Sequence, residues 1–475
     1  MVPIDRTVLE RAVDEALRQG ASYAEARYHL VSQSSILLVN GALMGVGEEY
    51  KRGVAIRVIV DGGLGFASAT RLDQESVRDA VSRALSSARA SSMYIKRPIE
   101  MGPGRIGRAR YSVVVQRKFE DEPLDVKIKK LLDVYKSLSL EKNGFKVASF
   151  TIVYLERVEE KLIVNSDGGY VESTIPRLAV FYNVAGVSGE KRANRFNMVG
   201  GTGGIELFEK LGIRKEMESD VESLYVNLVR ARSPPKGRMD VILSPELVGL
   251  IVHESAGHPS EADRILGREA AQAGMSYRTF YREEVIGNEN ATVIDDPTIP
   301  GSYGFYLYDD EAVAAGPRIL YGEGKLVGML HNRETAAVYG VESNAASRAM
   351  DYESEPIIRM ANTYLKPGDY KFEELLEGVR EGVYVKKFME WNIDDIRWGQ
   401  RYVGLEAYMV REGKLAEPVR DVALEFTTKE FYSSIDAVGR DLEFGAATCG
   451  KGEPGQGVPV GTGGPHVRLR SIRVG

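Results

Sequence analysis

The chain has 475 residues, of which 43% are hydrophobic and 27% are charged, and its formal net charge is −6. This length predicts two or three globular domains, and the acidic balance gives no reason to expect nucleic acid as a partner. No apolar run is long enough to span a bilayer, and residues 1–11 carry charges where a signal peptide would have an apolar core. The single cysteine, Cys449, has no partner for an internal disulfide. The composition therefore predicts a cytoplasmic protein without membrane contact.

The first 232 residues predict an α+β domain with an antiparallel sheet, which could be subdivided near residues 95–122. A capping box at Thr7 and Glu10 opens the first helix. Asp73 caps a second helix, and a third is predicted at residues 124–137. Alternating apolar positions predict strands at residues 53–60, 150–155, 162–165, 170–172 and 179–185, with a hairpin turn at 165–168.

Two stretches of this domain could suggest nucleic-acid or nucleotide binding. Residues 105–118 are basic, but in an acidic chain they are better explained as a solvated strand face. The run Gly200–Gly204 lacks the Gly-Lys-Ser/Thr ending of a phosphate-binding loop, so we interpret it as a flexible surface or substrate-facing loop. After this domain, the Ser-Pro-Pro-Lys-Gly run at 233–237 breaks any regular element and predicts the domain boundary.

The second domain, residues 238–475, is predicted to be mostly β and to carry a metal-binding helix. Ser244 and Pro245 give the N-cap and first-turn signals of that helix, and the apolar residues that follow recur at helical spacing. The helix leads into the motif VHESAGHPSEAD at residues 252–263. Strands are predicted at residues 324–326, 384–388, 402–410 and 422–426.

The motif concentrates the groups that hold zinc or transfer protons, namely two imidazoles and three carboxylates. In the H-E-x-x-H motif of zinc peptidases the histidines are four residues apart and share one helix face. Here His253 and His258 are five apart, which places them about 140° apart on a regular helix, too far round for one metal. Two geometries stay open: a π-type widening, or a helix end at Gly257 followed by a turn at Pro259.

Cys449 is the candidate third ligand. Seven glycines lie between it and residue 465, and they predict tight turns of positive φ that expose the thiol. Two imidazoles and one thiolate leave an open position on a tetrahedral zinc, which is typical of a catalytic site and not of a structural one. Glu254 is then the natural general base for a zinc-bound water.

Other polar residues near the motif carry weaker predictions. Glu261 and Asp263 could orient His253 or His258 or bind a substrate amine, and exposure of one of them is equally compatible with the sequence. His331 and His466 are predicted to have surface or packing roles, although His466 follows the glycine-rich segment closely enough to line a cleft.

Two long motifs together resemble the TldD branch of the TldD/PmbA family of zinc metalloproteases. They are HESAGHPSEAD at residues 253–263 and CGKGEPGQGVPVGTGGP at residues 449–465. The resemblance covers nearly the whole chain. It also includes the Gly-Ala-x-Tyr-Ala-Glu-Ala-Arg segment at 20–27, the turn at 165–168, and residues 356–368.

The resemblance implies a metallopeptidase. By this likeness His253, His258 and Cys449 would bind zinc, and Glu254 would be the catalytic carboxylate. Substrates would be peptides or unfolded polypeptide segments, cleaved in a chamber formed by two subunits. The assembly would be a homodimer, or a heterodimer with an inactive PmbA/TldE-like sister subunit. An exposed strand edge in the N-terminal half could bind an extended peptide through its backbone.

Two other functions stay open from the sequence. A zinc amidohydrolase acting on small molecules could use the same donor set, although the H-x-E and P-C-x-x-C pattern of zinc deaminases is missing. The chain could also be a non-catalytic scaffold subunit of a protease complex. The intact Glu254 argues against that function.

Overall fold

The computed structural model describes residues 5–234 and 236–475. The first four residues of the N-terminal stretch and Pro235 of the predicted boundary therefore lie outside the described residues. Helices and sheets are mixed throughout, which confirms the α+β fold class. Within the described part of the chain, no helix has the length and apolar character needed to cross a membrane.

The N-terminal half is built on one long sheet. Its strands are β1 (Tyr23–Val39), β2 (Ala42–Val60), β3 (Gly63–Ala69), β4 (Arg108–Ser112), β5 (Glu141–Lys142), β6 (Phe145–Asn165), β7 (Tyr170–Ser188) and β8 (Lys191–Thr202). Their order is β3-β2-β1-β6-β7-β4, with β8 beside β7 and β5 beside β6. All pairs are antiparallel except β4 with β7. The helices are α1 (Arg6–Arg18), α2 (Gln74–Ser92), α3 (Leu124–Ser137), α4 (Leu207–Lys210) and α5 (Ile213–Tyr225).

The two faces of this sheet pack against different parts of the chain. Side chains alternate along a strand, so Tyr28 and Ile36 of β1 share one face, and both belong to apolar cores that contain the helices α1, α2, α3 and α5. Arg27 and His29 point to the opposite face, where they are buried with almost no exposure. The helices thus cover one face of the sheet, and the other face is left for the C-terminal half.

One pair of predicted strands is a single strand. The sequence predicts strands at 150–155 and 162–165, but β6 runs without interruption through both. The charged segment between them looks like a loop in the sequence. In the structure Glu159 of that segment forms an ion pair with Arg177, and Lys161 forms one with Asp310. The strand therefore continues through a polar, largely buried region.

The run Gly200–Gly204 is not the flexible loop that its composition predicts. Strand β8 continues into it, and all five residues are half-buried or buried. A Cβ atom at Gly204 would lie 1.9 Å from the carbonyl oxygen of Arg117. Glycine is therefore needed there for close approach of two backbone segments.

The C-terminal half is mostly β, as predicted, and has two larger sheets. Their strands are β9 (Gly237–Leu243), β10 (Val293–Asp295), β11 (Arg318–Gly322), β12 (Lys325–Leu326), β13 (Ser347–Arg348), β14 (Ile357–Ile358), β15 (Asn362–Leu365), β16 (Glu381–Ile393), β17 (Gly399–Arg411), β18 (Lys414–Val419), β19 (Val422–Thr427), β20 (Ile435–Val438), β21 (Glu443–Lys451), β22 (Gln456–Gly464) and β23 (Val467–Val474). The helices are α6 (Pro245–Val252), α7 (Ala262–Leu266), α8 (Arg333–Tyr339), α9 (Phe372–Glu377) and α10 (Thr428–Ser434).

Helix α6 lies between the two larger sheets. One has the order β12-β11-β10-β15-β22-β21, and the other β16-β9-β23-β19-β17-β18 with β20 beside β23. Leu247, Val248 and Ile251 of α6 are fully buried in the core that both sheets share. The element that precedes the metal motif is therefore held at the centre of this half.

Buried ion pairs join the N-terminal sheet to the C-terminal half. Asp310 accepts hydrogen bonds from Lys161 at 2.7 Å and Arg27 at 3.4 Å. Beside it, Glu311 accepts one from Arg57 at 2.8 Å. Unpaired charges are costly in a buried interface. This network therefore favours one docking arrangement of the two halves over others.

His29 sits in the same interface as a neutral side chain. Its Nε2 lies 2.9 Å from Oε1 of Glu159, whose other oxygen accepts a hydrogen bond from Arg177. Burial, reinforced by the nearby Lys161 ammonium, lowers the pKa of His29 from 6.5 to about 4. The imidazole thus remains uncharged in the folded protein at neutral pH.

The depressed pKa of His29 makes stability depend on pH. Between pH 6.5 and 4 the unfolded chain binds a proton at His29 that the folded protein does not, so the stability present above pH 6.5 is lost as the pH falls. The contribution of this residue is about 3 kcal/mol at most. We expect His29→Gln, which keeps a donor for Glu159, to flatten this part of the profile. Urea unfolding at several pH values would measure it, and equal slopes for both proteins would contradict it.

Candidate metal centre

Helix α6 begins and packs as its sequence predicts. The side chain of Ser244 caps it by accepting a hydrogen bond from the backbone N–H of Leu247, and Pro245 occupies the first turn. Gly249 lets the helix approach β22, because a Cβ atom there would lie 2.9 Å from the backbone of Thr462 and Gly463. The helix is thereby fixed against the strand that pairs with β21.

A π-helical turn at His253–Gly257 brings the two histidines together. The backbone N–H of His258 donates to the carbonyl oxygen of His253, five residues earlier. This is the first of the two geometries that the spacing leaves open. The imidazole centroids lie 5.1 Å apart with an interplanar angle of 82°. Both rings are buried.

Cys449 completes the group, but its surroundings differ from the prediction. It lies in the regular strand β21 and is only 6% exposed, not displayed on a turn. The glycines of β22 serve close packing: a Cβ atom at Gly461 would lie 2.4 Å from the amide oxygen of Asn362. The Sγ atom is 3.5 Å from Nε2 of His258. One ligand atom each from His253, His258 and Cys449 lies within 4.8 Å of the others.

The chemistry of these three side chains suits zinc. Nδ1 of His253 is buried and has no hydrogen-bond partner among the described residues, and burial lowers the pKa of this histidine so that it stays neutral. Burial opposes ionisation of Cys449, but His258 and Arg359 outweigh it and lower the pKa of the thiol to about 7. Two imidazoles and an easily ionised thiol form a three-ligand zinc set with a fourth position left open.

Glu261 and Asp263 are both buried, so neither is the exposed residue that the sequence allowed. Oε2 of Glu261 lies 3.1 Å from Nδ1 of His258 and accepts a hydrogen bond from Nε of Arg264. Asp263 has no hydrogen bond to either histidine among the described contacts. It accepts hydrogen bonds at 2.7 and 2.8 Å from Lys451, on the strand of Cys449. Burial raises the pKa of Glu261, but Lys451 and His258 outweigh it and hold that pKa well below its usual range.

Lys451 and Arg264 were not among the residues predicted from the sequence, although a local signal existed for each. Lys451 is two residues after Cys449 on a strand and so points to the same face. Arg264 is three residues after Glu261 across the start of α7, a spacing that lets the two side chains meet.

Arg397 is the third missed residue, and it contacts Glu254. Its Nη1 atom donates to Oε2 of Glu254 at 3.0 Å, and both side chains are less than 10% exposed. Arg397 lies between β16 and β17 with a φ of +66°. Its carbonyl oxygen accepts a hydrogen bond from Thr428 at 2.7 Å. No sequence signal pointed to it, because the contact spans 143 residues.

The centre opens into a cavity of about 810 Å³ between the two halves of the chain. His253, Glu254, His258, Cys449 and Arg397 line it together with residues of β6, β7, β8, β16 and β21. A slightly larger cavity of about 910 Å³ near α2 and α8 is lined by no histidine or cysteine among the described residues.

The other two predicted histidines lie away from this cavity. Nδ1 of His331 lies 3.0 Å from Oγ1 of Thr335 inside the C-terminal half. His466 interacts with Asp441 through Nδ1 and with Tyr384 through Nε2. Neither histidine belongs to the described lining of the cavity, which agrees with packing roles.

Three family profiles match the chain along its length. They describe domain 1, the central domain and the C-terminal domain of the PmbA/TldA metallopeptidases, and they match residues 24–88, 117–221 and 236–475 respectively.

Individual relatives agree with these profiles. A protein of Methanothermobacter thermautotrophicus named metalloprotease is 35% identical over 95% of this chain and 95% of its own length. A protein of Saccharolobus solfataricus named zinc metalloprotease TldD homolog is 26% identical over 98% of each chain. The crystal structure of TldE from Thermococcus kodakarensis has a TM-score of 0.75 over 98% of this chain and 99% of its own, at 16% identity, and so shares its fold.

Glu261→Gln tests whether the contact of the Glu261 carboxylate with His258 strengthens zinc binding. The amide would replace a charged acceptor with a neutral one, and loss of such an outer partner weakens metal binding about 10- to 100-fold. Competition titration with a chromophoric zinc chelator would measure this change. The control is Glu269→Gln, a carboxylate on the same segment without a hydrogen bond to the three ligands among the described contacts. Equal zinc affinities of Glu261→Gln and the wild type would contradict the expectation.

Proposed function

This chain belongs to the PmbA/TldD family of metallopeptidases, and on that premise we propose that it is a zinc-dependent peptidase acting on peptides or unfolded polypeptide segments. The supporting observation is the buried group of His253, His258 and Cys449 beside Glu254, at the wall of a large cavity. Zinc held by these three side chains would act as a Lewis acid and lower the pKa of water at its open position.

We assign the role of general base to Glu254. It follows the first ligand directly in the chain and lines the cavity. One carboxylate oxygen is held by Arg397, and the other has no hydrogen-bond partner among the described residues. We assign the free oxygen to accept the proton of the attacking water and to pass it to the leaving amine. Arg397 is a positioning residue in this scheme, because it fixes the carboxylate towards the cavity.

Two strand edges offer a binding mode for an extended peptide. Both β8 and β21 line the cavity, and each has a strand partner on one side only among the described residues. An added peptide strand would be held by main-chain hydrogen bonds, which make cleavage weakly sequence-selective. Pairing with β21 would set a peptide bond beside Cys449. In this proposal β8 would be the N-terminal strand edge that the sequence leads us to expect.

We further propose that the active assembly contains two subunits, either two copies of this chain or this chain with a TldE-like sister. The shared fold with TldE supports a common architecture for such partners. The cavity would then be enclosed by the second subunit.

Metal content and activity together test the proposed function. Wild-type protein is expected to carry about one zinc per chain, because its donor set holds one tetrahedral ion. Cys449→Ser should lose most of that zinc, whereas Glu254→Ala should retain it and lose peptide hydrolysis. Elemental mass spectrometry and a peptide cleavage assay would measure the two properties. Equal cleavage by wild type and Glu254→Ala would favour the scaffold function. Wild-type protein purified without metal would contradict the proposed zinc site.

Arg397→Gln tests the positioning of Glu254. A displaced general base should lower kcat by up to about 100-fold while KM changes little, because substrate contacts remain. Zinc content should not change, and Arg397→Lys should recover part of the rate. The matched control is Arg401→Gln, on the adjacent strand, whose side chain is 42% exposed and pairs with Glu390. A change in KM alone, or no change in kcat, would contradict the positioning role.

A further inference from the structure

An apolar row crosses the N-terminal sheet on the face opposite its helices. Leu37 pairs with Val153, Val153 with Phe181, and Phe181 with Met198, on the adjacent strands β1, β6, β7 and β8. Direct cross-strand partners have their side chains on the same face of a sheet. With neighbouring strands about 4.8 Å apart, the row is roughly 14 Å long.

This row is only partly covered within the chain. Leu37 is 36% exposed, and Val153, Phe181 and Met198 are half-buried. The next residues along the same strands, such as Ile36 and Tyr154, are fully buried on the helix side. Four large apolar side chains in register on a partly open surface are typical of a surface that binds another molecule.

The row continues into the metal cavity. Val153, Phe181 and Met198 line the same cavity as His253 and Glu254. Leu37 lies at the far end, outside the described lining, near the hairpin between β1 and β2. The apolar surface therefore starts opposite the metal centre and leads outward along the sheet.

We propose that this row, Leu37, Val153, Phe181 and Met198, is the recognition surface that holds apolar side chains of the polypeptide being cleaved. The proposal rests on the proposed peptidase function and adds to it the kind of segment that is bound. Folded proteins bury most of their large apolar side chains, so an extended segment that displays several of them marks an unfolded chain. Selection by exposed apolar side chains would thus act on folding state more than on sequence.

The position of the row favours a substrate over a second subunit as its occupant. A subunit seated on Phe181 and Met198 would enter the cavity that Glu254 faces. A segment bound for cleavage must enter that cavity. One extended chain can place an apolar side chain on the row and a peptide bond at the metal centre at the same time.

A binding experiment tests the row without turnover. Zinc-loaded Glu254→Gln protein would be titrated with two labelled peptides of equal length, one containing Leu and Phe, the other with Ser and Asn at those positions. Fluorescence anisotropy is expected to show about 10- to 100-fold tighter binding of the apolar peptide. In the same background, Phe181→Asn and Val153→Asn should remove most of that preference. Val327→Asn, at an apolar position 57% exposed elsewhere, should keep it.

Each outcome distinguishes this proposal from the peptidase function. Equal binding of both peptides would overturn the proposed role of the row. The zinc content and the need for Glu254 in peptide cleavage would still support the peptidase. Variants that keep the preference but change from dimer to monomer in sedimentation velocity would make the row a subunit interface and overturn the proposal. An apolar preference that is lost in Phe181→Asn, together with equal peptide cleavage by wild type and Glu254→Ala, would support the row and count against the peptidase. Circular dichroism would confirm that each variant is folded.

Discussion

The candidate metal centre depends on one irregular turn of helix. On a regular helix His253 and His258 would point about 140° apart, and the π turn between them removes this separation. Such a turn leaves backbone groups without their usual helical partners. The fold supplies replacements, since the hydroxyl of Tyr321 donates to the carbonyl oxygen of Ser255 at 2.8 Å. Gly257 also matters, because a Cβ atom there would lie 1.9 Å from Sδ of the buried Met360.

These contacts explain why the sequence could indicate the residues of the candidate site but not their geometry. The helix start at Ser244 and the donor types at His253 and His258 are local signals. The choice of a π turn depends on Tyr321 and Met360, which are distant in the chain. The expected exposure of Cys449 was wrong because the glycines near it permit close strand packing, where the sequence suggested turns.

The charge pattern of residues 156–161 led to a wrong prediction of a loop for a related physical reason. A charged segment ordinarily marks a solvated loop, yet Glu159 and Lys161 lie in an uninterrupted strand because charges around them neutralise them. The same sheet face changes character along its strands. Near Arg27 and Lys161 it is charged and docks against the C-terminal half, and near Leu37 it is apolar and partly open. Docking through the charged part thus sets the apolar part opposite the metal centre.

The charged residues around the candidate ligands link formation of the site to folding of the C-terminal half. Lys451 has no exposed side-chain surface and lies between Asp263 and Glu261, which follow the metal motif in the chain. A buried ammonium or carboxylate without its partner costs several kcal/mol. The strand of Cys449 and the segment that follows His258 are therefore stable in these positions only when both are in place. A site whose candidate ligands are nearly two hundred residues apart is in this way formed together with the C-terminal core, and Glu261 transmits the same constraint to the ring of His258.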